Sequence, residues 1–175
     1  MMSTMEVLNK VSNALSSIDG CRFNFRPKQI QVMESLVLGS DVVAVLPTGF
    51  GKSITFHTLS RLLPQKSPLG KNITLVVSPL NAIIEDQIMA MKERGICAAV
   101  LERSPYTNPS FLKPSQEDKD DVKWPANISK GIFEVLLAHP EVLLEASTLE
   151  LLRGKIYRNR VCALVIDEAH LIETW

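Results

Sequence analysis

The run Leu46-Pro47-Thr48-Gly49-Phe50-Gly51-Lys52-Ser53 sets two glycines, a lysine and a serine at a spacing that suits the holding of a phosphate chain. Gly49 and Gly51 admit backbone conformations that other residues resist, so successive N–H groups can turn toward one anion. Lys52 then reaches the outer phosphates, and Ser53 offers its hydroxyl to a magnesium ion. The apolar run from Val42 to Leu46 reads as a strand buried on both faces of a parallel sheet. A helix beginning near Gly51 adds its positive end to the same spot. Leu46 stands where the usual pattern opens with a small residue, which places the loop in a variant class.

A second chemical group, Asp167-Glu168-Ala169-His170, follows about 115 residues later at the end of the apolar run Cys162 to Ile166. Carboxylates at the carboxyl end of a parallel strand face the crevice where such sheets bind ligands. Asp167 is placed to hold magnesium through water, opposite Ser53, and Glu168 to orient and deprotonate an attacking water. His170 links the state of the nucleotide to a neighbouring element by hydrogen bonding. Phosphate transfer to water asks for neutralised charge and an aligned nucleophile more than for covalent help, which these residue types supply. Alone, an acidic pair closing a strand is equally an ordinary solvated turn; the upstream loop makes it half of an ATP site.

The elements that must position these groups follow from periodicity. Met5, Leu8, Val11, Leu15 and Ile18 recur at helical spacing up to Asp19-Gly20. A second helix starts at Pro27, carries Ile30, Met33, Leu36 and Val37 inward and ends at Gly39. Beyond the phosphate loop, strands are expected at Ile73 to Val77, Ile96 to Leu101, Phe133 to Ala138 and Cys162 to Ile166. A helix over Leu80 to Met91, closed by Gly95, and another from Pro140 to Leu152 separate them. This alternation predicts an α/β fold with a mainly parallel sheet and helices on both faces. The stretch 102–127, with its prolines and mixed charges, interrupts the rhythm and reads as a surface loop insertion.

Composition narrows the classes. A chain of 175 residues that is 46% hydrophobic has room for one domain with a real core. Nineteen basic residues balance nineteen acidic ones, so nucleic-acid binding must come from a local patch. Cys21, Cys97 and Cys162 lie far apart, which indicates buried free thiols and neither a zinc site nor a disulfide framework. The chain carries neither the apolar core of a signal peptide nor an apolar run of membrane-spanning length, so a soluble, intracellular protein is expected.

With these motifs in place, the chain resembles the first RecA-like motor lobe of superfamily 2 helicases, most closely the RecQ-like DNA helicases of DEAH type. The resemblance runs from Phe23 onward: FRPKQ at Phe25 to Gln29, PTGFGKS, LVVSPLNAIIEDQ at Leu75 to Gln87, and LVIDEAH. The SPL triplet followed by Asp86-Gln87 is the RecQ-flavoured detail. By resemblance, Gln29 reads the adenine edge, and Arg26 lies against the base or ribose, with Arg22 or Phe23 available to stack. Pro47, Thr48, Gly49, Phe50, Gly51, Lys52 and Ser53 hold the phosphates. Ser78, Pro79 and Leu80 meet the backbone of single-stranded DNA, as do Pro140 and Glu141 beside His139. Trp175 matches the first aromatic of a loop that couples DNA binding to hydrolysis.

The resemblance implies an ATP- and magnesium-dependent DNA helicase moving 3'-5' on single-stranded or forked DNA, active in the nucleus in DNA repair and recombination. It divides the chain into a helical lead-in, 1–24, and an ATP-binding lobe, 25–175, with the second lobe missing and little unwinding expected of this portion alone. An RNA-directed helicase, a non-enzymatic ATP-binding remnant and a P-loop ATPase unrelated to nucleic acid stay open beside it.

Overall fold

The computed structural model describes residues 25–68, 70–102 and 124–174, with positions 5, 6, 9, 12 and 13. Those five positions are helical or lie in helical turns, in line with the expected opening helix, whose remaining residues lie outside the described set, as do Arg22, Phe23, most of the 102–127 stretch and Trp175.

Helix α1 spans Pro27–Val37 and begins where Pro27 costs no backbone hydrogen bond. The phosphate loop leads into α2, Lys52–His57, and α3, Leu59–Leu62. The sheet then forms from β1, Ile73–Val77; β2, Ala98–Leu101; β3, Val135–Ala138; and β4, Val161–Ile166. Helix α4, Asn81–Glu93, connects β1 to β2, and the short α5, Ala126–Lys130, precedes β3. The expected helix from Pro140 to Leu152 is instead two, α6 at Pro140–Leu143 and α7 at Ala146–Arg153, because Glu145 adopts extended backbone between them. Helix α8, Lys155–Arg160, leads into β4, and a 3-10 helix over Ala169–Thr174 follows it.

The four strands among the described residues are parallel, in the order β2-β3-β1-β4. Their alternation builds two cores. Val76, Val135 and Leu137 meet Met33, Phe56, Leu59, Ile84 and Met91 on one face. Ile73, Leu75, Leu136 and Ala138 meet Ile128, Val142 and Tyr157 on the other. Apolar side chains on both faces are what a parallel sheet covered by crossover helices requires.

One expected strand is not in the sheet. Residues 41–47 run without ladder partners, and Val43 and Val45 are 91% and 87% exposed. Between this segment and β4 lies an apolar slot of about 440 Å3, lined by Leu36, Val42, Phe56, Leu164 and Ile166 among others. The residue types suit a strand, but a strand is defined by its neighbour, and β4 stands a slot's width away. Cysteine placement also differs from expectation: Cys97 is exposed and Cys162 half-buried.

The end of the sheet away from the phosphate loop is fastened by charge. Glu134 is buried, and its carboxylate accepts from Arg61 Nε at 2.5 Å, Arg61 Nη2 at 3.1 Å and Lys71 Nζ at 2.8 Å. Burial pushes its pKa upward, but these hydrogen bonds and charges outweigh that and hold it below the usual carboxylate value. Arg61 Nη2 also donates to the Gly95 carbonyl at 2.9 Å, so α3, the end of α4 and the start of β3 share one clamp. Removing the carboxylate strands the partly buried Arg61 guanidinium. Glu134→Ala is therefore expected to lower stability by about 2 to 4 kcal/mol. A urea titration followed by circular dichroism checks this, and an unchanged midpoint would show that the clamp contributes nothing.

Candidate nucleotide-binding site

The phosphate loop is shaped by its glycines and held from beneath by Gln29. Gly51 caps α2 with φ of 82°, a left-handed conformation that favours glycine. A Cβ there would also lie 2.9 Å from Gln29 Nε2, so conformation and space both demand glycine. Gln29 is 4% exposed, and its Nε2 donates to the carbonyls of Phe50 and Gly51, both at 2.9 Å. Its Oε1 accepts from the Arg26 backbone N–H at 2.9 Å, closing the first turn of α1. The amide expected to face a base is thus engaged with the loop backbone. The Arg26 guanidinium sits 4.6 Å from the centre of the Phe50 ring, a cation–π contact that shelves the entrance.

The acidic half arrives on β4. The Asp167 N–H donates to the Val77 carbonyl at 2.9 Å, and Asp167 Oδ1 accepts from the Glu168 N–H at 3.0 Å. Burial lifts the Asp167 carboxyl above its usual pKa, as does the neighbouring Glu168 charge, while the Glu168 N–H and Lys52 act against the rise. Glu168 has φ of 51°, the positive value that side chains normally avoid. That backbone turn brings its carboxylate 3.7 Å from Lys52 Nζ and 3.3 Å from His170 Nδ1. Thr48, Gly49, Gly51, Lys52, Ser53, Asp167 and Glu168 line a common cleft of about 420 Å3. Both halves of the expected site meet there.

Sequence reasoning named Asp86 and Gln87 without giving them a task, and it did not single out His57. Ile83, Asp86 and Gln87 line the cleft from α4. Gln87 Nε2 donates to Ser53 Oγ at 2.7 Å, while its Oε1 meets His57 Nε2 at 2.5 Å. Helical spacing shows that positions 83, 86 and 87 share a face, but only the fold shows what that face meets.

The nucleic-acid positions divide. Ser78 is buried, its N–H donates to the Ala138 carbonyl at 3.1 Å, and its hydroxyl points inward without a partner. Leu80 and Glu141 are exposed, Pro79 and Pro140 are half-buried, and His139 Nε2 lies 2.5 Å from Asn81 Oδ1. That bond joins the segments after β1 and β3 along one edge of the sheet.

A parallel sheet with a glycine loop feeding a helix, and an acidic pair leaving a neighbouring strand, defines a RecA-like P-loop nucleotide-binding lobe. Residues 26–175 match the DEAD/DEAH box helicase family, and the chain belongs to that family. It is 33% identical over 86% of its length to RecQ-like DNA helicase blm-1 of Caenorhabditis elegans, covering 14% of that protein. It is 32% identical over 87% of its length to ATP-dependent DNA helicase RecQ of Synechocystis, covering 28%. With ATP-dependent DNA helicase Q-like 5 of Arabidopsis thaliana it shares 30% identity over 97% of its length, covering 16%. The chain thus spans well under a third of these relatives. No helix among the described residues is long and apolar enough to cross a membrane.

His57 gives the site a pH signature. Burial lowers its pKa from 6.5 to about 4, with a further push from Arg94, against the opposing hydrogen bond that His57 donates to Gln87. The unfolded chain therefore takes up this proton at a higher pH than the folded one. The resulting stability is fully present above about pH 6.5 and is lost as pH falls toward 4, by on the order of 3 kcal/mol. Urea midpoints measured between pH 4 and 7 are expected to fall less steeply for His57→Asn than for the wild type. Parallel curves would show that another group controls this limb.

Proposed function

We propose that this chain is the ATP-binding motor lobe of a RecQ-like DNA helicase. The observation that carries the reading is the cleft uniting Thr48 to Ser53 with Asp167 and Glu168. Lys52 neutralises the outer phosphates, and loop N–H groups with the start of α2 hold the rest. Arg26, exposed above Phe50, meets the base or ribose. Gln29 reads the adenine edge only by exchanging one of its bonds to the loop, so its first task is to hold that loop.

Ser53 and Asp167 are hard oxygen donors lining the same cleft, a pair that would suit magnesium. Bound there, the ion would supply charge neutralisation for the phosphates. Glu168 holds and deprotonates the attacking water, and His170 fixes the Glu168 carboxylate from outside. Single-stranded DNA lies along the edge formed by Pro79, Leu80, Pro140 and Glu141. The substrate is DNA in place of RNA because the relatives the chain is similar to are named as DNA helicases, and the SPL and Asp86-Gln87 details resemble that family. This reading places the protein with chromosomal DNA, in the nucleus, in repair and recombination.

Unwinding requires a second lobe that closes on the nucleotide with arginines, and without it hydrolysis falls by about three to five orders of magnitude. The 175-residue chain is expected to bind a fluorescent ATP analogue, and Lys52→Ala to weaken that binding at least about tenfold. In the protein joined to a second lobe, single-stranded DNA is expected to stimulate ATP hydrolysis. There Glu168→Gln should lower turnover at least about a hundredfold while nucleotide still binds. Stimulation by RNA alone would overturn the substrate assignment, and undiminished binding by Lys52→Ala would overturn the site.

A further inference from the structure

We infer that Gln87 is a positioning residue that aims the Ser53 hydroxyl at the metal, with His57 as its anchor; this rests on the reading of the cleft as a magnesium-nucleotide site. A serine hydroxyl has one proton and two lone pairs. Gln87 Nε2 donates to Ser53 Oγ at 2.7 Å and so occupies one lone pair from the α4 side. The second lone pair and the proton are left for the cleft, one for a cation and the other for a phosphate oxygen. Without the amide, the hydroxyl rotates freely among staggered positions and can turn its proton toward the place of the cation.

An amide can do this only if it is prevented from turning over. The 2.5 Å contact between Gln87 Oε1 and His57 Nε2 provides that restraint, with the ring N–H donating to the amide oxygen. This assigns the Nε2–H tautomer to His57 and leaves Nδ1 bare, in keeping with a buried Nδ1 that has no hydrogen-bond partner. The ring itself is locked. His57 is 1% exposed and packs edge-on against Phe56, with ring centres 5.0 Å apart. The polarity of the whole row is thereby set from inside the protein: imidazole N–H to amide oxygen, amide N–H to serine oxygen, serine lone pair to the cleft. His57 and Ser53 stand one turn apart on α2, at i and i+4, so Gln87 from α4 bridges two residues of the helix that opens on the phosphates.

The test separates metal from nucleotide. Fluorescent ATP-analogue binding to the 175-residue chain is measured in EDTA and across a magnesium titration. Gln87→Met conserves length and volume while removing both polar contacts. The expected result is an approximately tenfold rise in the magnesium concentration at half-saturation, with the metal-free affinity within about twofold of wild type. That unaltered affinity also shows the variant to be folded. His57→Phe is expected to produce part of the same rise, and none when added to Gln87→Met, since the two act in series. An unchanged magnesium midpoint in Gln87→Met, or equal losses with and without the metal, would overturn the inference while leaving the site intact. Failure of the wild type itself to bind nucleotide in a magnesium-dependent way would overturn the underlying reading.

Discussion

The ladder between β1 and β4 does not stop with the last residue of the strand. The Asp167 N–H continues it by donating to the Val77 carbonyl, so the first acidic residue is held by the sheet before any side chain acts. Because all strands are parallel, the same end of the sheet receives Ser78 after β1, His139 after β3 and Asp167 after β4. The cleft, the loop above it and the edge beside it inherit their relative positions from this one alignment. Helix α4 then adds its face from the β1 side, and α2 closes the ring. The strained backbone of Glu168 fits this view: a rigid strand end fixes where the chain must turn, and the turn is taken where the carboxylate is needed.

The two ends of the sheet are organised differently. At one, the Glu134 carboxylate is satisfied by Arg61 and Lys71, and the three charges of the clamp partner one another. At the other, among the described residues, the Asp167 carboxylate accepts one hydrogen bond, from the next residue, and Lys52 has the distant contact with Glu168. Charges left incompletely paired in a cleft are available for a ligand, whereas those of the clamp are not. The same chemistry of lysine and carboxylate thus fastens the fold at one end and stays open for a ligand at the other.

Much of this was legible in the residues. The glycine-lysine-serine loop and the acidic pair identify themselves because their chemistry constrains residue type, and β1 and β3 are visible as short apolar runs. The segment from Val42 to Leu46 has the same appearance, but its place depends on a neighbour that its own letters do not encode. Gln29 shows the same limit at the scale of a side chain. Its amide suits either a base edge or a backbone, and only the 2.9 Å contacts with Phe50 and Gly51 reveal which it meets. Gln87 and His57 stand 30 residues apart, on separate helices, and no periodicity relates them.

The side of β4 that faces the slot has a further consequence for the behaviour of this lobe in solution. Among the described strands only β1 pairs with β4, so its other row of N–H and C=O groups is unsatisfied by the sheet, and Leu164 and Ile166 are exposed along it. Between Val161 and Ile166 there is no lysine, proline or acidic residue of the kind that discourages edge-to-edge association. The nearby exposed valines present a second β-prone stretch at the same place. A concentrated solution of the isolated lobe therefore offers complementary edges to itself, and its tendency to aggregate is set along the outer edge of the strand that carries Asp167.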